Sequence, residues 1–251
     1  MGEDMFQRRS IFLAAAVALC PAMALQALAE PISFAARDGV RVYAEFDKAE
    51  GKPRGTILLF HMAGSNKSEY APLAPILNKS GFATLAVDQR SGGNLWGDIN
   101  ETAAKAGTGY DYADAIPDLD AAIAYASAQY SGPIIVWGSS YSSALVFIVA
   151  ARHPQVKALL AFSPAEYIQG YSIEKEAAKL SIPVFITSAP DGGEVSAGRA
   201  LASAVPGHKA VQYVPKNGAH GSSTLRRDED AAGADENWKH VMGFLDRTLP
   251  R

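Results

Sequence analysis

Ser140 stands at the apex of Ile134-Ile135-Val136-Trp137-Gly138-Ser139-Ser140-Tyr141-Ser142-Ser143-Ala144. A β-branched run leads into a Gly-x-Ser turn, and the apolar stretch at 145–151 follows with the character of a helix. Strand, tight turn, helix, with a serine between them, is the pattern of a nucleophile elbow. Such a turn lifts one hydroxyl above the sheet, where it can attack a carbonyl carbon once a base removes its proton. The sharp backbone leaves room only for small neighbours. Gly138 meets that need two residues before the serine. Two residues after it the common pattern has glycine, and here stands Ser142. A Gly-x-Ser-x-Ser string alone is also what a serine-rich turn looks like, so the reading depends on context.

The context is a chain of alternating elements. Residues 32–46 read as a β-hairpin around Asp38-Gly39, with Val40, Val42, Ala44 and Phe46 alternating against polar neighbours. Continuous apolar runs at 56–60, 82–87, 134–137, 156–162, 183–187 and 210–214 have the character of strands buried on both faces. Helices are predicted at 70–79, 116–130, 145–151, 174–180, 195–204 and 236–249. Residues 95–115 lack an apolar period and read as a long connection carrying Trp96, Tyr110 and Tyr112, either as pocket walls or as loop anchors. Alternation of this kind predicts an α/β fold: a doubly wound, mostly parallel sheet with helices on both faces, an N-terminal hairpin and little or no lid domain. The 164–181 connection, where a lid would be inserted, is short.

Composition narrows the function classes. The chain has 251 residues, 48% hydrophobic and 20% charged, which suffices for one sizeable core. A formal charge of −3 offers no footprint for nucleic acid. Arg8-Arg9, the apolar run at 11–19 and Ala27-Leu28-Ala29 have the layout of a secretory signal peptide, with cleavage expected after Ala29. Residues 1–29 are therefore expected to be a signal peptide and 30–251 the folded domain. The apolar run is too short to span a membrane, so no stable insertion is expected. Arg8-Arg9-Ser10-Ile11-Phe12 also fits a twin-arginine signal loosely. The single cysteine, Cys20, lies in this segment, which leaves the mature chain without disulfides and suits a bacterial periplasm or secretion.

In a doubly wound sheet, functional groups collect at the carboxyl ends of the strands. Here those ends carry His61-Met62, Ser140, Asp191 and the loop with His220. The chain order serine, acid, histidine resembles the α/β-hydrolase superfamily, in the compact branch similar to dienelactone hydrolases but with serine in place of their cysteine. The resemblance implies a triad of Ser140, His220 and an acid, for which Asp191 is preferred and Glu194 is the alternative. It also implies an oxyanion hole from the backbone N–H groups of Met62 and Tyr141. Among the five histidines, His61 is expected to be structural, and His153, His208 and His240 peripheral. Asp88 is expected to brace a neighbouring loop, and nothing in the spacing decides whether Glu166 and Tyr167 approach the site. No phosphate loop, metal cluster or cofactor fingerprint is present, so no cofactor is expected.

The resulting expectation is an exported serine hydrolase cleaving a carboxylic ester or related acyl bond of a small molecule through an acyl-enzyme. A peptidase or thioesterase is the alternative within the enzyme class. A non-catalytic binding protein on the same scaffold is the alternative outside it. A purely structural interaction partner would present a broad apolar stripe, and the sequence has none.

Overall fold

The computed structural model describes residues 29–249. The expected signal peptide, with Arg8, Arg9 and Cys20, lies outside the described residues, apart from Ala29.

Eight strands form one sheet: β1 (Glu30–Ala35), β2 (Arg41–Asp47), β3 (Gly55–Phe60), β4 (Phe82–Asp88), β5 (Ile134–Ser139), β6 (Val156–Phe162), β7 (Val184–Thr187) and β8 (Ala210–Tyr213). Their spatial order is β1-β2-β4-β3-β5-β6-β7-β8. The first two pair antiparallel, β2 runs antiparallel to β4, and the rest are parallel. The helices are α1 (Ala74–Lys79), α2 (Glu101–Ala106), α3 (Ile116–Gln129), α4 (Tyr141–Ala150), α5 (Ile173–Ala177), α6 (Gly192–Ala204) and α7 (Ala234–Thr248).

The strands β3 to β7 bury both faces, so their apolar residues divide by parity, whereas β8, expected to be buried on both faces, lies at the sheet edge with Val211 exposed. On β3, Leu58 and Phe60 join Leu119 and Ile123 of α3 and Leu145 and Phe147 of α4. Ile57 and Leu59 face the other way, onto Leu77 of α1 and Val241 and Phe244 of α7. Each fully buried aliphatic side chain of this kind contributes about 1.5–3 kcal/mol of hydrophobic stabilisation. Trp137 on β5 lies in the second layer, stacked on Phe162 at 4.3 Å.

Three local differences from the sequence-based expectation have physical causes. The helix expected from residue 70 begins at Ala74, with Pro75 in its first turn, where a missing N–H costs nothing; Lys67–Tyr70 forms a separate 3₁₀ turn. The connection 95–115 contains α2, a short helix with no apolar stripe, whose only buried residue is Thr102. Its start is set by the Asn100 side chain accepting from Ala103 N–H. Finally, α6 begins at Gly192 instead of 195, which makes Asp191 its N-cap. The link from β6 to β7 carries only α5, so among the described residues no lid domain stands above the sheet.

Candidate active site

The elbow is built as its residue types require. β5 ends at Ser139, α4 begins at Tyr141, and Ser140 between them has φ 55° and ψ −123°. A non-glycine residue held there costs on the order of 1–3 kcal/mol, which its neighbours must offset. Ser140 N–H donates to Phe162 O at 2.8 Å, and Ser140 O accepts from Ser143 N–H at 2.9 Å. Gly138 has no substitute here, because a Cβ would lie 2.3 Å from the carbonyl oxygen of Ser142.

His220 meets the nucleophile directly. Its Nε2 lies 2.8 Å from Ser140 Oγ, and its Nδ1 lies 2.7 Å from Oε1 of Glu194. With the proton on Nδ1, donated to the carboxylate, Nε2 presents a lone pair to the serine hydroxyl. The loop holding His220 is fixed from below by the ends of two strands. Gly221 N–H donates to Ser163 Oγ at 2.8 Å, Ser222 N–H to Ser139 Oγ at 2.9 Å, and the buried indole of Trp137 to Ser222 Oγ at 2.9 Å. Gly221 adopts φ 65°, and a Cβ there would come within 2.5 Å of Ser139 Oγ.

The electrostatics follow from that geometry. The hydrogen bond to Glu194 raises the imidazole above its ordinary value; burial opposes this, and the charges of Glu194 and Glu69 add to it. For Glu194, burial pushes upward, but hydrogen bonds from His220 and Ser163 and the imidazolium charge prevail and hold the carboxyl below its usual range. Ser163 itself has φ 55° and so is a second serine held at positive φ beside the site.

The carboxylate that meets His220 is that of Glu194, and the preferred candidate Asp191 makes no contact with it. Asp191 is the N-cap of α6, its Oδ1 accepting from Gly193 N–H at 2.9 Å and Glu194 N–H at 3.3 Å. Those orphan amides at the helix start claim its carboxylate. Glu194, three residues on, receives Ala189 N–H at 3.0 Å on Oε2 and turns Oε1 to His220. The spacing Asp-x-x-Glu is itself a helix-start signature, and it was the signal that Asp191 is consumed by capping.

Met62 is likewise corrected as an oxyanion donor. Its N–H is taken by Oε2 of the buried Glu69 at 2.8 Å. The carbonyl groups of Phe60, His61 and Met62 are engaged as well. Phe60 O accepts from Tyr70 Oη at 2.6 Å, and His61 O from Ser142 Oγ at 2.5 Å. Met62 O accepts from the His61 ring at 2.9 Å and from Ser65 N–H at 3.2 Å. The next amide, Ala63 N–H, makes no hydrogen bond among the described residues. Tyr141 N–H, at the first position of α4, is one of the amides that a helix start leaves without an intrahelical partner.

The remaining candidates sort themselves by contact. His61 is fully buried and accepts from Gln89 N–H at 3.1 Å on Nε2, so it frames the turn and is no base. Its burial holds it below the ordinary imidazole value. His153 pairs with Asp120, and His240 stacks on Tyr213. Asp88 accepts from the amides of Lys67 and Glu101 and braces that loop. Glu166 caps the start of α5. Trp96 lies under the guanidinium of Arg226 at 3.8 Å, and Tyr110 lies beneath Arg90 at 5.4 Å, so both anchor loops. Tyr112 is different: it stacks on Tyr141 at 4.3 Å, beside the residue that follows the nucleophile, and stays 38% exposed. Tyr167 is half-buried, its phenol pushed up by burial and then by the charge of Glu194 and by Tyr112. Among the described residues no cluster of His, Cys, Asp or Glu is placed to hold a metal, and no helix is long and apolar enough to cross a membrane.

Comparison with known proteins agrees with this architecture. The sequence model of the family described as serine aminopeptidase, S33, matches residues 51–230. The search of curated proteins found no match. Among solved structures, the esterase domain of a Rhodothermus marinus protein superposes with a TM-score of 0.63 at 18% identity, covering 88% of this chain and 99% of that one. A thermostable carboxyl esterase from Bacillus coagulans gives 0.68 at 15% identity, with 88% and 99% covered. A Klebsiella pneumoniae protein assigned as a dienelactone hydrolase gives 0.64 at 20%, with 86% and 97% covered. At these identities the structures speak for the fold. The family match covers most of the chain, and the protein belongs to the serine aminopeptidase S33 family of the α/β-hydrolase superfamily, as a serine hydrolase.

Proposed function

We propose that the chain hydrolyses a carboxylic ester or related acyl bond of a small molecule through an acyl-enzyme on Ser140, with His220 as general base and Glu194 as its acid. The observation that carries this is the unbroken sequence of contacts from Ser140 Oγ to His220 Nε2 at 2.8 Å and from His220 Nδ1 to Glu194 at 2.7 Å. As Ser140 Oγ bonds to the carbonyl carbon, its proton passes to His220 Nε2. The oxyanion is received by the N–H groups of Tyr141 and Ala63. His220 then protonates the leaving alcohol, and the acyl group stays on Ser140. Water enters, gives its proton to His220, and releases the acid while Ser140 recovers its hydrogen.

A small or soluble ester is favoured over a long-chain lipid. Among the described residues no lid domain covers the sheet, and the His220 side chain is 44% exposed. The esterase descriptions of two of the structures above support the ester reading. The family's own description favours a peptidase as the second reading. A fluorophosphonate probe should label Ser140, and p-nitrophenyl esters of graded chain length should be turned over. Turnover of aminoacyl p-nitroanilides in preference to these esters would establish the peptidase instead. Folded protein that takes no label would favour a binding role. The arginine pair, apolar run and Ala-x-Ala site at the N-terminus support export to the periplasm or beyond, and an exported form beginning at Glu30 is the expected result of N-terminal mass analysis.

A further inference from the structure

Glu69 is a carboxyl group with no water contact, 0% exposed, lying on the 3₁₀ turn Lys67–Tyr70 beneath the site. Burying such a group is costly unless it is held by hydrogen bonds. One oxygen, Oε2, accepts Met62 N–H at 2.8 Å, and the other, Oε1, closes no hydrogen bond among the described residues. Burial pushes this carboxyl up; the hydroxyl of Ser139, the amide of Met62, Ser65 and the charge of Arg226 oppose that shift. Arg226 does not neutralise it by direct contact, because its Nη1 donates to the Glu69 main-chain carbonyl at 3.0 Å and its other nitrogens hold Asp228. A half-satisfied acid in the interior is a poor stabilising device, and an apolar side chain of the same length would pack there at lower cost. What the acid does achieve is local. It captures the amide of Met62, the residue just before Ala63.

The consequence is geometric. Successive peptide planes in a tight turn are coupled, so fixing the direction of one N–H restricts the next. Tyr70 Oη holds Phe60 O in the peptide plane upstream, and Ser142 Oγ holds His61 O, at the opposite end of the same peptide as Met62 N–H. Met62 O, in the plane of Ala63 N–H, is held by the His61 ring and Ser65 N–H, while Ser142 and Glu69 grip the preceding peptide from its two ends and keep Met62 N–H in the interior. Glu69 claims it from the protein side, and the amide left for substrate is that of Ala63.

We propose that Glu69 is a positioning residue of the hydrolytic site: by accepting Met62 N–H in the interior it aims Ala63 N–H, with Tyr141 N–H, at the oxyanion of the tetrahedral intermediate. This rests on the hydrolase reading above and assigns a role that the triad does not contain. It acts through the length of the side chain, not through its charge.

Two conservative variants separate length from charge. Glu69→Gln keeps the reach and offers an amide oxygen to Met62 N–H, with its NH₂ toward the hydroxyls of Ser139 and Ser65. Glu69→Asp keeps the acid but withdraws it by one methylene, about 1.5 Å. Rates are measured on p-nitrophenyl acetate and divided by sites titrated to completion with a fluorophosphonate, so that misfolded protein does not count. Glu69→Gln should stay within about threefold of wild type, and Glu69→Asp should lose about 10–100-fold in kcat with KM within threefold, a fraction of what losing an oxyanion donor costs. Glu69→Asp at wild-type kcat, Glu69→Gln as impaired as Glu69→Asp, or a change confined to KM would each overturn the proposal. In all three cases labelled, active wild-type protein leaves the hydrolase reading standing. Wild type that neither labels nor turns over sinks the hydrolase reading, and the role of Glu69 with it.

Discussion

The hydroxyl of Ser142 donates to the main-chain carbonyl of His61 at 2.5 Å while accepting from Gln89 Nε2 at 2.7 Å. Ser142 occupies the position where the elbow pattern has glycine, and the sequence alone makes it a weakness. In the fold it joins α4, which follows Ser140, to the turn after β3. Its Oγ does this fully buried, so the extra atoms fill a hydrogen-bonding role that a glycine would leave vacant. Ser142→Ala should therefore lower stability by about 1–3 kcal/mol, because the carbonyl of His61 and the amide of Gln89 lose a buried partner. Thermal unfolding measures that loss. The same variant should lose more in kcat than in KM, because the turn it frees acts on the transition state.

Replacing the nucleophile or the base should each cost several orders of magnitude. Ser140→Ala and His220→Ala are expected to be nearly as impaired as the double variant, since the two act as one unit. Steady-state rates on p-nitrophenyl acetate check this. Additive losses would mean that the 2.8 Å contact between them has no catalytic role.

Glu194 and Asp191 should separate cleanly. Glu194→Gln is expected to reduce kcat by about 10²–10⁴-fold, as the loss of an orienting acid does elsewhere. Asp191→Asn should leave kcat within a few-fold, because asparagine caps a helix nearly as well. Asp191→Ala should lower the unfolding free energy by about 0.5–2 kcal/mol with the chemistry intact. Equal, mild effects on kcat from Glu194→Gln and Asp191→Asn would remove Glu194 from its role.

The pH profile carries a sign. His220 acts as base only when neutral, and Glu194 holds its imidazole above the ordinary value. Activity should then be present at alkaline pH and fall as pH drops through that raised value, so the acid limb of kcat/KM lies above the ordinary imidazole range. Glu194→Gln removes both the carboxylate acceptor and the charge, and the limb should move to lower pH. A limb that stays in place would show that another group controls it.

Much of this protein is legible one residue at a time. Sheet and helix order follow from runs such as 56–60 and 134–137, whose short, continuous apolar character is typical of strands buried on both faces. Ser140 and His220 follow from local chemistry: a serine in a strand-turn-helix string, and a histidine in a glycine-flanked loop before the last helix. Short-range spacing also holds the answer for the acid, in Asp191-x-x-Glu194, but only once the helix start at Gly192 is known. A shift of three residues in that start exchanges the carboxylate that caps the helix for the one that meets His220.

Other features exist only in three dimensions. Met62 N–H is taken by Glu69, a carboxylate from the following turn, and no periodicity or motif encodes that hold. Ser142 becomes a brace only because β3 and β5 lie side by side and bring the turn after Phe60 over the start of α4. Local propensity and pattern determine which groups the chain can offer, because they depend on neighbours a few residues away. Which oxygen and which N–H meet is decided by sheet register and by the burial of polar groups that must find partners, and both are properties of the folded whole.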